Sequence, residues 1–158
     1  MIRQLAISAL LIAGAAGAAA QKAPKQLDVP LWFDRCTALS STHIASEMDR
    51  RCMSTAYDYC EYGRLYDERR PCIEELTLHI RGRTEAIAAV LPEQASLSDA
   101  FLEQSYHQRL ATLMNDELAP NCAQMTKFMC ETLKVVLRWS TARELARTAG
   151  VANELDVK

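Results

Sequence analysis

The stretch PCIEELTLHIRGRTEAIAAVLP, Pro71 to Pro92, decides the fold class. Within it Ile73, Leu76, Ile80, Ile87 and Leu91 recur at helical intervals, with charged and small residues between them. Apolar side chains spaced this way share one stripe of an α-helix, whereas a half-buried strand would alternate. Pro92 ends the segment, because proline has no N–H and clashes with a continuing helix.

The same pattern extends in both directions. Downstream, Ser96-x-x-Asp99 resembles an N-terminal capping arrangement for a helix over about 98–118, with Leu102, Tyr106, Leu110 and Leu113 as its apolar stripe. Pro120 is expected to open a last, longest helix, with Met125, Met129, Leu133 and Val136 facing inward and Gly150 at its end. Upstream, Ile44, Met48, Cys52 and Tyr59 keep helical spacing from His43 to about Tyr62, where Gly63 is a C-cap candidate. The charged run Arg64 to Arg70 then reads as the connection to Pro71. Ser40-Ser41-Thr42 offers a break and an N-cap, and a short first helix precedes it, with Pro30 at its start and Trp32, Cys36 and Leu39 on one face.

Residues 21–29 read as an extended lead-in and 151–158 as a polar tail, which leaves 30–150 as a single helical domain. Only Gly63, Gly82 and Gly150 occur after the first twenty residues, and valines and isoleucines are few, so sheet is disfavoured. Short links between amphipathic helices favour antiparallel neighbours. The expected fold is all-α, a disulfide-stapled up-down four-helix bundle with a short extra N-terminal helix.

The chain begins MIRQLAISALLIAGAAGAAAQ, with Arg3, an apolar run from Leu5 to Ala13 and Ala18-Ala19-Ala20 before Gln21. This is the pattern of a cleaved secretory signal peptide over 1–20, and the apolar run is short for a membrane span. No stable membrane anchor is therefore expected, and the alanine-rich style points to a bacterial protein of the periplasm or the medium. Removing 20 of the 158 residues leaves a mature chain of 138, enough for one domain with a real core. The leader holds one of the 18 basic residues and none of the 20 acidic ones, so 17 face 20 and the mature charge is −3. Such a mixed, mildly acidic surface argues against nucleic acid or an anionic membrane as partner.

All six cysteines, Cys36, Cys52, Cys60, Cys72, Cys122 and Cys130, lie in the mature part, and an even count in an oxidising compartment favours three disulfides. The windows RCMSTAYDYC (51–60) and NCAQMTKFMC (121–130) each hold two cysteines eight positions apart. In a continuous helix that separation is about 12 Å along the axis, beyond the roughly 4.4–6.8 Å between disulfide Cα atoms. Of about 15 pairings of six cysteines, excluding self-closure of either window leaves about 10 by the same reasoning. Pairing the windows with each other would force Cys36 onto Cys72 across about 30 Å of intervening helix. Cys36–Cys52 is favoured, as the two face each other across a hairpin centred near residue 44. The other four stay open between two crosslinks to the last helix and Cys60–Cys72 with Cys122–Cys130, the latter requiring Cys122 to sit in a loop.

Motifs for chemistry are sparse. The cysteines lack the tight spacing of zinc sites, and no C-x-x-C redox pair, glycine-rich phosphate loop or nucleophile elbow occurs. His43 with Glu47, Glu103 with His107, and Met125 with Met129 are i,i+4 pairs that suit ordinary helix faces or core better than metal ligation. No cofactor or metal is expected. YDYCEYGRLYDERR (57–70) concentrates four of the five tyrosines, and tyrosine with arginine is the composition of protein-binding hot spots. The candidate interaction surface is therefore Tyr59, Tyr62 and Tyr66, at i, i+3, i+7 spacing, with Arg64, Arg69 and Arg70.

In signal peptide, helical composition and cysteine richness the chain resembles small lysozyme-inhibitor-like and immunity proteins of bacteria; no residue-level motif is carried over. The expected function is a non-enzymatic, exported helical protein of the bacterial envelope that binds another protein. A periplasmic small-molecule or metal carrier is the alternative, and a cell-wall hydrolase the third reading.

Overall fold

Helix N-termini need acceptors for their first N–H groups, and short polar side chains supply them at three places. Asp28 accepts from Leu31 N at 3.0 Å, Asp99 from Phe101 N at 2.7 Å, and Thr126 from Met129 N at 3.2 Å. These caps open three of the five helices: α1 (Val29–Ala38), α2 (Ala45–Tyr62), α3 (Tyr66–Ala88), α4 (Ala100–Met114) and α5 (Lys127–Thr148). The computed structural model describes residues 26–38 and 44–151. Residues 1–25, 39–43 and 152–158, which hold the expected signal peptide, Leu39, the Ser40-Ser41-Thr42 break, His43 and most of the polar tail, lie outside them. Among the described residues the protein is all-helical, with no strand.

α3 and α5 pack along each other as the central pair, α2 contacts both, α1 lies on α2 and α3, and α4 rests on α5. Arg70 meets Phe128 near the starts of α3 and α5, and Thr84 meets Val135 and Arg138 further on, so these two run in the same direction. α2 runs against α5: Asp49 meets Arg143, and Tyr62 shares a groove with Met129. The core lies between these helices. Phe33, Ala56, Leu76, Ile80, Leu113, Trp139, Ala142 and Leu145 are buried in it, and the Phe33 and Trp139 rings meet tilted at 5.1 Å. Each such large apolar side chain contributes about 1.5–3 kcal/mol through burial.

Three disulfides staple the helices: Cys36–Cys52, Cys60–Cys72 and Cys122–Cys130. The first ties α1 to α2, the second ties the end of α2 to α3, and the third ties the loop before α5 to its first turn. Cys52 and Cys60, both within α2, do not pair. Cys122–Cys130 closes, at a Cα separation of 5.5 Å, because Cys122 lies in a loop and α5 begins only at Lys127. Pro120 therefore does not open that helix; Thr126 caps it instead.

Other expectations are revised. The run Arg64 to Arg70 is not a connection: α3 starts at Tyr66 and holds Pro71 inside it. Asp67 and Glu68 in the first turn complement the helix dipole, and Arg70 pairs with Glu74 one turn on at 2.8 Å. The α4 helix is shorter than 98–118, and Leu102 in its supposed stripe is exposed, because α4 buries only Tyr106 and Leu113. Ile44 is exposed at the start of α2, and Phe33, not Trp32, is the buried aromatic of α1. Gly63 caps α2, with its N–H on Tyr59 O. Its conformation is right-handed, and glycine is needed for space: a Cβ there would lie 2.7 Å from the Tyr59 ring.

Candidate functional site

α5 carries two apolar stripes. Val135, Trp139, Ala142 and Ala146 are buried in the core. Phe128, Met129, Leu133 and Val136 line an open groove of about 650 Å³ against the last turns of α2. Met125 and Met129, expected inside, are 40% and 54% exposed, because the core already takes the other stripe. Met125 reaches the groove on the loop closed by Cys122–Cys130, where Met125 N donates to Cys122 O and Ala123 N to Asn121 Oδ1. Half-buried Tyr57 and Ile73 form part of the lining. Tyr57 and Thr77 share a hydrogen bond of 3.1 Å between their hydroxyls. Burial pushes the Tyr57 phenol up, against the opposing effect of that hydrogen bond, so it stays neutral. Asp58 and Glu61 are the charged residues of the lining, and both are acidic.

The tyrosine and arginine stretch divides at the α2–α3 corner. Tyr62, 78% exposed, stands on the groove. Tyr66, 85% exposed, lines a neighbouring depression of about 420 Å³ with Arg69, Arg70 and Phe128. Arg69 lies over the Tyr66 ring and 3.9 Å from Glu61, and Arg70 lies over the Phe128 ring. Tyr59 and Arg64 face elsewhere and hold the lead-in. The Arg64 guanidinium lies over the Tyr59 ring, donates to Leu27 O at 2.8 Å and binds Gln26, while Leu27 N donates to the Tyr59 hydroxyl at 3.4 Å. Phe128, Met125, Met129 and Leu133 were not singled out as site residues from the sequence. The signal is a second apolar stripe on α5 through Phe128, Met129 and Leu133, more than a single packed face requires, with Met125 joining it from the preceding loop.

A second concavity of about 530 Å³ lies at the opposite end of the α2–α5 seam, lined by Ser46, Arg50, Ser140 and Arg147 among others. Its charges are satisfied within the fold. Buried Asp49 accepts from Arg143 at 3.2 Å twice and from Arg147 at 2.6 Å, and Arg143 also donates to Thr37 O at 3.0 Å. Glu47 pairs with Arg50 and Arg51, and Glu144 with Arg109. This arrangement locks α5 to α1 and α2.

Among the described residues, no three His, Cys, Asp or Glu side chains come together as metal ligands. His107 stacks edge-on against Tyr106, and the proposed partner of Glu47, His43, lies outside the described residues. No described helix is long and apolar enough to cross a membrane, and no cysteine among them is free, as suits an oxidising environment. The chain matches no protein-family model, and no curated protein or solved structure is significantly similar to it.

Proposed function

We propose that this is an exported, non-enzymatic protein of the bacterial envelope that binds another protein through the groove between α2 and α5. In this reading signal-peptide cleavage delivers it to the periplasm or medium, where its helices act as a disulfide-stapled up-down four-helix bundle with α1 as the extra element. The observation that carries the proposal is the contiguous exposure of Tyr62, Met125 and Met129 beside Phe128, Leu133 and Val136. Contiguous apolar surface is costly to leave in water and marks an interaction site. Methionine thioethers mould to a partner's side chains, and tyrosine adds area at low entropic cost. The groove is open along its length, so a bound molecule keeps one face in solvent. That suits a polypeptide better than a small molecule, which a carrier would enclose.

Position 129 of the mature chain, carrying a photo-activated cross-linking side chain, tests the proposal in an extract of the exporting compartment. One discrete adduct with another polypeptide is expected from position 129 and none from Gln108, which is exposed on α4. Absence of an adduct at 129, or equal adducts at both positions, overturns the proposal.

A further inference from the structure

We infer that the groove takes a basic amphipathic helix of about two to three turns; this rests on the protein-binding reading above. The first argument concerns backbone. An extended peptide that binds by strand addition has no sheet edge to pair with, since no strand occurs among the described residues. The walls are helices, whose backbone groups are satisfied internally. A partner segment that satisfies its own backbone, as a helix does, can lay its apolar face here without help from these walls. The second argument concerns length and pattern. From Met129 to Val136 the α5 wall advances about 10 Å, close to two helical turns, and Met125 prolongs it. Large apolar side chains at i, i+3 or i+4, and i+7 match that span.

The third argument is charge. Asp58 and Glu61 stand three positions apart on α2, on the groove, with no basic side chain in the lining. Asp58 forms no ion pair among the described residues, and Glu61 has a long, partly exposed ion pair with Arg69 at 3.9 Å, which leaves it able to meet a second cation. A lysine or arginine beside the partner's apolar stripe meets both carboxylates. The same acidic rim repels an anionic lipid surface, so the apolar groove is a helix dock and not a membrane contact.

Three labelled 16-residue peptides titrated against the full mature chain, read by fluorescence anisotropy, test the inference. One carries leucines at helical spacing flanked by lysines, the second replaces every lysine by glutamate, and the third scrambles the first. The lysine peptide is expected to bind, with the glutamate and scrambled peptides about tenfold weaker or worse. Asp58→Asn with Glu61→Gln should level the preference for lysine over glutamate, and Asp58→Lys with Glu61→Lys should reverse it. Met129→Gln should weaken the lysine peptide severalfold without changing the preference. Vesicles of phosphatidylglycerol should not bind. Equal affinity for the lysine and glutamate peptides overturns the basic partner, and equal affinity for the scrambled peptide or preferential vesicle binding overturns the helix assignment. Equal lysine and glutamate binding that Met129→Gln weakens leaves the groove as a dock and removes only the basic partner. Normal peptide binding with no adduct from position 129 in the extract removes the functional reading and not the helix chemistry.

Discussion

Asp49 is a buried carboxylate facing two guanidiniums from α5, and its position explains why a charge survives in the interior. Arg143 bridges it to the carbonyl of Thr37, so one ionic cluster joins α1, α2 and α5. Taking one partner from such a cluster leaves an uncompensated buried charge, which costs about 3–5 kcal/mol. Asp49→Ala is expected to lose stability of that order in urea unfolding, and a loss under about 1 kcal/mol would mean the cluster does not hold the helices. Asp116 and Glu144 behave differently, because both lie near the surface of the α4–α5 seam. The Lys134 hydrogen bond lowers the Asp116 carboxyl, with Arg138 adding to it, and the Arg109 hydrogen bond lowers Glu144. A carboxylate held below its unfolded value stabilises the fold above that value and loses the contribution as pH falls through the folded one. The two contributions are thus complete at neutral pH and fade as acid is added below about pH 4. Melting temperature against pH should therefore fall less steeply in that acid range for Asp116→Asn with Glu144→Gln than for the natural chain.

At the level of helices, α3 illustrates what the sequence made legible. Leu76, Ile80 and Ile87, singled out by spacing, are buried, because one stripe of that helix faces α5. Its start is hidden in the sequence because a run of seven mostly charged residues looks like loop, although acidic residues in a first turn stabilise a helix through its dipole. Cys36–Cys52 was accessible from hairpin symmetry, while the choice between the other pairings turned on where α5 begins. That start depends on Thr126 as cap and not on Pro120, a distinction of one side-chain hydrogen bond. The groove was only partly visible. Tyr62 was anticipated, but methionines at helical spacing look the same whether they face a core or open water. Gly82 lies mid-helix on α3, exposed and with nothing within 4 Å of where a Cβ would sit. Gly82→Ala should raise stability by about 0.5–1 kcal/mol in denaturant unfolding, since it restrains the unfolded chain at no steric cost.

Across the whole molecule, the covalent crosslinks are all short in sequence, closing over separations of 16, 12 and 8 residues. None spans 73–121, yet Asp49 meets Arg143 across 94 residues. Drawn as a graph, the protein is an open thread bearing three small rings, and only non-covalent contacts bring its two halves together. A protease site placed between Glu93 and Gln94, in the connection from α3 to α4, exposes this. The cut protein should elute as one particle under native conditions. In detergent without any reductant it should separate into two fragments, each keeping its own rings. Oxidation of this chain therefore requires no encounter between distant cysteines: each ring closes within its own neighbourhood, and joining the halves is left to packing and to hydrogen bonds such as those of Arg143 with Asp49 and the Thr37 carbonyl.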